Sequence, residues 1–222
     1  MYLEEAGWLQ RELARLPVEQ GDEALNVASS TEHYRTVEQP HNESMVLGPL
    51  RERGATIVNL DLKPAPGVDV VCDLLADDLD LAALLGRPFK LVLANGLLEH
   101  LPEDRVPGIL AAMQAVVEPG GHLVLTTPFK YRRTEDPVDL GYRPSPQSLV
   151  ALLTAGGEFS AVRAELVRID APQYYKGVAS RASVVLVGGR WVPLPGASEQ
   201  LRRLVKRWRW QETCVIVSRD RS

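Results

Sequence analysis

Apolar residues along the chain fall into two kinds of run, which alternate from near the amino terminus onwards. A stripe at helical spacing fills residues 2–16 and is closed by Pro17. Short runs rich in Val, Ile and Leu follow, separated by helix-like segments. These runs predict strands at 23–29, 56–62, 68–74, 89–95, 122–128 and 160–169. The intervening segments predict helices at 43–53, 79–85, 103–117 and 145–157.

Strands of nearly continuous apolar content that alternate with helices are typical of a mostly parallel sheet with helices on both faces. The chain has 222 residues, 45% hydrophobic and 24% charged, which fits a single domain with one substantial core. Such sheets bind ligands beyond the carboxyl ends of their strands, where the strand order reverses. The last residues of each strand are therefore the candidate site residues.

Charge is distributed unevenly along the chain. Residues 1–160 hold 13 Lys and Arg against 24 Asp and Glu, whereas residues 161–222 hold 12 against 5. The acidic body argues against nonspecific binding of nucleic acid. A basic helical stripe at 199–209 either packs on the body with a solvated face or contacts an anionic group.

The sequence favours a cytoplasmic protein. No apolar run approaches the roughly 20 residues of a membrane helix, and no signal peptide is evident. Cys72 and Cys214 are far apart and fit neither a disulfide framework nor a metal cluster, so we expect two free buried thiols. No metal site is predicted, and the oligomeric state stays open, with a homodimer among the arrangements the sequence allows.

The predicted strand ends carry polar residues that suit a nucleotide. The first strand usually feeds a glycine-rich turn, but in "ALNVASSTEHYR" Ala28, Ser29 and Ser30 stand there. Asp61 ends the second strand, where an acid typically accepts hydrogen bonds from the ribose hydroxyls of an adenosine cofactor. Asp73 could accept from the adenine amine at the end of the third strand.

Two strings around the fourth and fifth strands carry a family resemblance. "FKLVLANGLLEHLPED" and "VVEPGGHLVLTTPF" resemble motifs of class I S-adenosylmethionine-dependent methyltransferases, in particular the small-molecule group with "LEH" and "PGG" at these places. The resemblance covers roughly residues 22–170. It implies a doubly wound, Rossmann-like seven-stranded sheet in the order 3-2-1-4-5-7-6, in which only strand 7 is antiparallel. Residues 212–220 would then supply strand 7.

On this reading the chain is one methyltransferase domain, 1–222. It comprises an amino-terminal helix at 2–16, a core at 22–170, an insertion between strands 6 and 7 at 171–211, and the last strand at 212–220.

The first motif departs from the family pattern, which the resemblance places on residues 24–30. Asn26 replaces an acid, and Ala28 and Ser30 replace two glycines. Their small side chains would still let the methionine part of the cofactor approach, but positive φ is costly for both. The resemblance implies that the S-adenosyl-L-methionine site comprises Ala28, Ser29, Ser30, Asp61, Leu62, Asp73, Leu74, Asn95 and Gly96.

The resemblance also suggests how an acceptor is bound and activated. His100 has the intrinsic pKa of a general base near neutrality, although a structural histidine is the alternative. The loop at 129–146 follows the fifth strand and would overhang the acceptor. Its candidate acceptor-binding residues are Tyr131, Asp139, Tyr142 and Arg143, unless the loop is only a solvated surface segment. The expected reaction is methylation, most simply at oxygen, of a small polar molecule such as a sugar, glycan precursor or secondary metabolite.

Two other functions stay open. The altered first turn fits a cofactor-less, methyltransferase-like scaffold or binding protein for a biosynthetic partner. A nicotinamide-dependent dehydrogenase is less favoured, because the first turn lacks the G-x-G-x-x-G pattern.

Overall fold

The structure is a computed structural model that describes residues 1–130, 139–169 and 210–221 with side chains, and 184–187 and 190–193 as backbone. The strands are β1 Glu23–Val27, β2 Thr56–Asp61, β3 Val70–Val71, β4 Phe89–Asn95, β5 Val117–Lys130, β6 Phe159–Ile169, β7 Val184–Val187, β8 Arg190–Pro193 and β9 Trp210–Arg219. The α-helices are α1 Leu3–Leu13, α2 Gly48–Glu52, α3 Leu81–Leu85, α4 Val106–Ala115 and α5 Pro146–Thr154.

One seven-stranded sheet organises the described chain, in the order β3-β2-β1-β4-β5-β9-β6. β9 runs antiparallel to both β5 and β6, and the pairs among β1 to β5 are parallel. The strand order and the antiparallel last strand confirm the expected doubly wound, Rossmann-like fold. β7 and β8 form a separate antiparallel pair within the predicted insertion.

Helices cover both faces of the sheet because neighbouring strand residues point to opposite sides. Leu25 belongs to an apolar cluster that includes Met113 of α4 and Leu149 of α5. Ala24, the residue before it, belongs to a second cluster that includes Trp8 of α1. These two buried layers fix the strand ends relative to one another and so position the site.

Several predicted boundaries differ from the observed ones for identifiable reasons. β4 has the predicted bounds, since it is central in the sheet and buried at five of its seven positions. The third strand is much shorter than the predicted 68–74, because only Val70–Val71 pair with β2. π-helical turns at Tyr34–Glu38 and Asn42–Leu47 occupy a segment for which no strand or helix was predicted and the first half of the helix predicted at 43–53.

Cys72 and Cys214 are buried free thiols, as predicted. Within the ranges that the structure describes, no helix is both long and apolar enough to cross a membrane. Tyr131 and the basic stripe at 199–209 lie outside the described residues.

Candidate active site

The turn after β1 has a backbone shape that normally calls for glycine. Ala28 has φ 54° and Ser30 has φ 57°, both in the left-handed region. This conformation costs a residue with a side chain about 1–2 kcal/mol. The sequence showed that positive φ would be costly at these two positions, but it could not show that both residues adopt it.

Asp61, at the end of β2, holds the turn from one side. Its Oδ2 accepts a hydrogen bond from the Ser30 backbone N–H at 2.7 Å. The Ser29 N–H donates to the Leu60 carbonyl at 3.0 Å. The other Asp61 oxygen accepts from the Leu62 N–H at 2.8 Å. Asp61 therefore has a structural role in the turn in addition to any contact with a ligand.

Arg35 holds the turn from the other side. Its side chain is 5% exposed, and its guanidinium donates to the carbonyls of Ser29 at 2.9 Å and Ser30 at 2.5 Å. It also donates to the Gly67 carbonyl at 2.8 Å. Burial lowers the pKa of Arg35 from its ordinary value. Arg35, for which the sequence predicted no structural role, therefore supports the turn with its side chain.

A cavity of about 330 Å³ opens beside this turn. Its walls come from the ends of β1 and β4, the two π-helical turns and the segment after β4. Among the predicted site residues, the cavity brings together Ala28, Ser29, Ser30, Asn95, Gly96 and His100. It is also lined by residues that were not predicted as site residues, among them Asn26, Tyr34, Arg35, Asn42 and Glu99.

The predicted ribose and adenine residues lie outside the cavity lining. Leu62 is 54% exposed and Leu74 is buried. Asp73 Oδ1 accepts a hydrogen bond from the Leu75 N–H at 2.9 Å, which shapes the turn after β3. Asp61 is the last residue of β2 and Leu62 follows it, while Asp73 and Leu74 come shortly after β3. Because β2 lies beside β1, these residues are at the edge of the sheet next to the cavity.

The end of β4 brings Asn95 and Gly96 to the cavity wall. Gly96 has φ 61°, and its N–H donates to the Thr126 carbonyl at 2.9 Å. The Thr126 hydroxyl lies 3.2 Å from Asn95 Oδ1. The predicted roles of Asn95 and Gly96 as cofactor contacts stay predictions.

Glu99 is the functional candidate that sequence reasoning passed over in favour of its neighbour. Its side chain is buried, and its Oε2 accepts from the Thr127 hydroxyl at 3.2 Å. Burial raises the pKa of Glu99 above its ordinary value. His100 Nε2 lies 3.9 Å from Glu99 Oε1. The "LEH" string contained the signal, since it places a carboxylate and an imidazole side by side.

The described residues of the loop at 129–146 do not line the cavity, although Leu140 lies next to Glu99. The Leu140 N–H donates to the Glu99 carbonyl at 2.8 Å. Asp139 and Arg143 form an ion pair at 2.5 Å, and burial raises the pKa of Tyr142. The acceptor-binding roles of Asp139, Tyr142 and Arg143 therefore stay predictions. Across the described residues, no group of three or more His, Cys, Asp or Glu side chains could hold a metal ion.

The strand order, together with a ligand-sized cavity at the ends of β1 and β4, defines a class I, Rossmann-like methyltransferase fold. The sequence matches the family described as "Methyltransferase domain" over residues 42–214, and the chain belongs to this family. No curated protein matches the sequence.

Solved structures support the same fold. A Galdieria sulphuraria protein described as a sarcosine dimethylglycine methyltransferase is similar at TM-score 0.60 and 14% identity, over 98% of this chain and 86% of that one. The cyclase SpnF is similar at TM-score 0.58 and 15% identity, over 98% and 81%. The 1,6-didemethyltoxoflavin-N1-methyltransferase of Burkholderia thailandensis, solved with S-adenosylhomocysteine, gives TM-score 0.52 and 15% identity, over 98% and 76%. At these identities the likeness shows the fold alone.

Proposed function

We propose that the protein transfers a methyl group from S-adenosylmethionine to a small polar acceptor. The observation that carries the proposal is the left-handed conformation of Ala28 and Ser30 beside the cavity. A turn that had lost its ligand would be expected to relax into a cheaper conformation, since strained backbone clusters at functional sites. The chain instead supports the strained shape with both Asp61 and Arg35.

The polar groups at the ends of β1 to β4 suit S-adenosylmethionine by their chemistry. The turn of Ala28, Ser29 and Ser30 would hold the methionine part. Asp61 and Leu62 would hold the ribose, Asp73 and Leu74 the adenine, and Asn95 and Gly96 the centre of the cofactor. When bound, the cofactor supplies an electrophilic methyl group on a sulfonium.

Catalysis would then need an oriented acceptor and, for a hydroxyl acceptor, a base. His100 lies in the cavity wall, 37% exposed at its side chain, and its imidazole is the proposed base. Tyr131, Asp139, Tyr142 and Arg143 are the proposed acceptor contacts. The proposal also keeps a cytoplasmic location as an expectation from the sequence.

Thermal shift with two ligands tests the cofactor class. We expect S-adenosylhomocysteine to raise the melting temperature by roughly 5–10 °C at about 100 times its Kd, because ligand binding stabilises the native state by RT ln(1 + [L]/Kd). NAD at the same concentration should leave it unchanged. A shift with NAD alone would indicate a dehydrogenase, and a shift with neither ligand would favour the scaffold.

A further inference from the structure

Two buried asparagines stand side by side on the strands that lead into the strained turn. Asn26 of β1 pairs in register with Asn59 of β2, and each is 6% exposed. Asn26 also lines the cavity, two residues before Ala28. Because the family pattern has an acid at position 26, the buried carboxamide there needs an explanation.

A chain of hydrogen bonds connects Asn26 to the carboxylate of Asp69. The side-chain nitrogen of Asn26, Nδ2, donates to Asn59 Oδ1 at 3.0 Å. Asn59 Nδ2 donates to Asp69 Oδ2 at 3.2 Å, and the Asn59 backbone N–H donates to the same oxygen at 2.7 Å. The Asp69 N–H donates to the Asn59 carbonyl at 2.8 Å, which holds Asp69 beside the strand.

The chemistry of these groups sets the direction of the chain. A carboxylate only accepts hydrogen bonds, so Asn59 must turn its amide nitrogen toward Asp69. The Asn59 oxygen then faces Asn26, and Asn26 must offer its own nitrogen to that oxygen. Among the described residues, no donor is bonded to the Asn26 oxygen, Oδ1. This oxygen is therefore left as an acceptor for a ligand.

The methionine part of S-adenosylmethionine, which the turn at 28–30 would hold, contains one group that can donate. Its carboxylate only accepts, whereas its ammonium group has three N–H donors. An acceptor held beside the turn therefore suits the ammonium. The cavity wall also carries the guanidinium of Arg35, which stays charged while it donates to three neutral carbonyls. That charge favours the carboxylate of the same zwitterionic part.

We propose that Asn26 binds the amino group of the cofactor through Oδ1, and that Asn59 and Asp69 are positioning residues that fix its orientation. This inference rests on the proposed function and assigns residues to the methionine end of that site. Asn59 does not line the cavity, so its effect on the cofactor passes through Asn26. The carboxamide at position 26 thus supplies an acceptor whose direction Asp69 determines.

Two ligands separate the amino-acid end of the cofactor from the rest. S-adenosylhomocysteine carries the amino group, and 5′-methylthioadenosine lacks the whole amino-acid part. We expect calorimetry to show that the wild type prefers S-adenosylhomocysteine by at least about tenfold. Asn59→Leu keeps the branched shape of the side chain but releases Asn26. It should reduce the preference at least about fivefold, while the affinity for 5′-methylthioadenosine stays within about twofold.

Gln114→Leu is the matched control for the loss of a polar side chain. The Gln114 amide donates to the Leu153 carbonyl at 2.7 Å, and Gln114 does not line the cavity. This variant should keep the full preference, whatever it does to the melting temperature.

Reversing the chain tests its direction. In Asn26→Asp a carboxylate meets the Asn59 oxygen, because Asp69 prevents Asn59 from turning, so the melting temperature should fall by at least about 3 °C. In Asp69→Asn the new carboxamide can donate to Asn59, which is then free to turn and donate to position 26. Adding Asn26→Asp to that variant should lower the melting temperature by at most about half as much. The exposed substitution Asp78→Asn should give no such rescue.

Each part of the inference has its own contradicting result. No preference in the wild type, or a preference that Asn59→Leu leaves unchanged, would overturn the binding role of Asn26. Equal losses from Asn26→Asp in both backgrounds would overturn the positioning role of Asp69. The proposed function stands in both cases if S-adenosylhomocysteine binds, and it is refuted if neither ligand binds the wild type. If Asn59→Leu does not fold, the two Asn26→Asp backgrounds decide.

Discussion

Two residues in the turn after β1 replace glycine without having its conformational freedom. Ala28 and Ser30 both take positive φ, at a combined cost of about 2–4 kcal/mol, a large share of a typical domain's stability. The hydrogen bond from Ser30 to Asp61 and those from Arg35 to the turn carbonyls offset part of this cost. The turn is therefore a strained element that its surroundings maintain.

Substitutions in the turn separate strain from binding. In Ala28→Gly and Ser30→Gly, relief of strain should equal or exceed the entropic cost of glycine, so the melting temperature should stay unchanged or rise by up to about 3 °C. Affinity for S-adenosylhomocysteine, measured by calorimetry, should stay within a few-fold. Ser30→Leu should abolish binding by crowding the backbone. Tolerance of leucine would mean that the cofactor does not approach the turn.

Asp61 supports both the turn and the predicted ribose contact. Loss of charge-assisted hydrogen bonds in Asp61→Ala should weaken binding of S-adenosylhomocysteine by roughly 2–3 kcal/mol, about 30- to 150-fold. Asp61→Asn should lose less, because one oxygen remains. Calorimetry together with melting temperatures in the absence of ligand separates lost contacts from a loosened turn.

The control for Asp61 must avoid helix capping. Asp80 accepts a hydrogen bond from the Ala83 N–H at 2.9 Å and caps α3, so its removal would itself destabilise the protein. Exposed Asp78 is the better control, and Asp78→Ala should shift the affinity by less than about 0.5 kcal/mol. Equal small effects at Asp61 and Asp78 would contradict the ribose assignment.

At the residue scale, the sequence revealed chemical types but not conformations. It showed that Ala28 and Ser30 are small. Their φ angles depend on Asp61 and Arg35, whose positions are set by tertiary structure. The sequence shows that Glu99 is a carboxylate beside His100. Its burial depends on tertiary contacts with Thr127 and with the loop at 129–146.

At the element scale, the segment between β1 and α2 forms one wall of the cavity through two π-helical turns, Tyr34–Glu38 and Asn42–Leu47. π-helical turns are rare and frequently occur at functional sites. The segment carries Arg35 into the protein beneath the turn. One irregular segment therefore supplies both part of the cavity wall and the side chain that supports the strained turn.

Arg35→Lys tests this connection. A lysine carries the charge but cannot reproduce the guanidinium geometry that serves three carbonyls, so we expect a loss of about 2–4 kcal/mol in the free energy of unfolding. Affinity for S-adenosylhomocysteine should fall in parallel. Arg51→Ala is the control, because its ion pair with Glu43 is partly exposed and should contribute less than about 1 kcal/mol. Chemical denaturation measures both, and similar losses in the two variants would refute the role of Arg35.

The elements differed in how well the sequence predicted them. β4 was predicted at its observed bounds because it is a central strand whose five buried residues are all apolar. Edge strand β3 was overestimated, since its apolar run is longer than the part that pairs. The π-helical turns have no established sequence period, so only a helix at 43–53 was predicted in this segment.

At the scale of the whole molecule, the alternation of strands and helices predicted a parallel sheet covered on both faces. The strand order came from the family resemblance, because periodicity within a segment does not determine which strands are neighbours. The same arrangement brings the buried carboxyl groups of Glu5, Glu99 and Glu212 close together from distant parts of the chain.

The buried carboxyl group of Glu212 should make global stability depend on pH. Burial, then Glu5 and Glu99, raise the pKa of Glu212 well above its ordinary 4.5. Between pH 4.5 and the raised pKa of Glu212, the folded chain holds more protons than the unfolded chain. The free energy of unfolding therefore falls as the pH rises through this window. Glu212→Gln removes this loss and should raise the melting temperature near pH 8 by at least about 2 °C.

Near pH 4 the advantage of Glu212→Gln should vanish, since Glu212 of the wild type is then largely protonated in both the folded and the unfolded chain. Scanning calorimetry across this pH range measures the difference, with the exposed substitution Glu103→Gln as the control. A gain that is equally large at both ends of the range would indicate better packing instead of titration.

The central claim is that the glycine-poor turn still forms a cofactor site. Calorimetric titration of the wild-type protein with S-adenosylhomocysteine tests it most directly. We expect one-site binding with Kd in the micromolar range, corresponding to roughly −7 to −8 kcal/mol. Absence of measurable binding heat at several temperatures, together with no thermal shift at millimolar ligand, would contradict it.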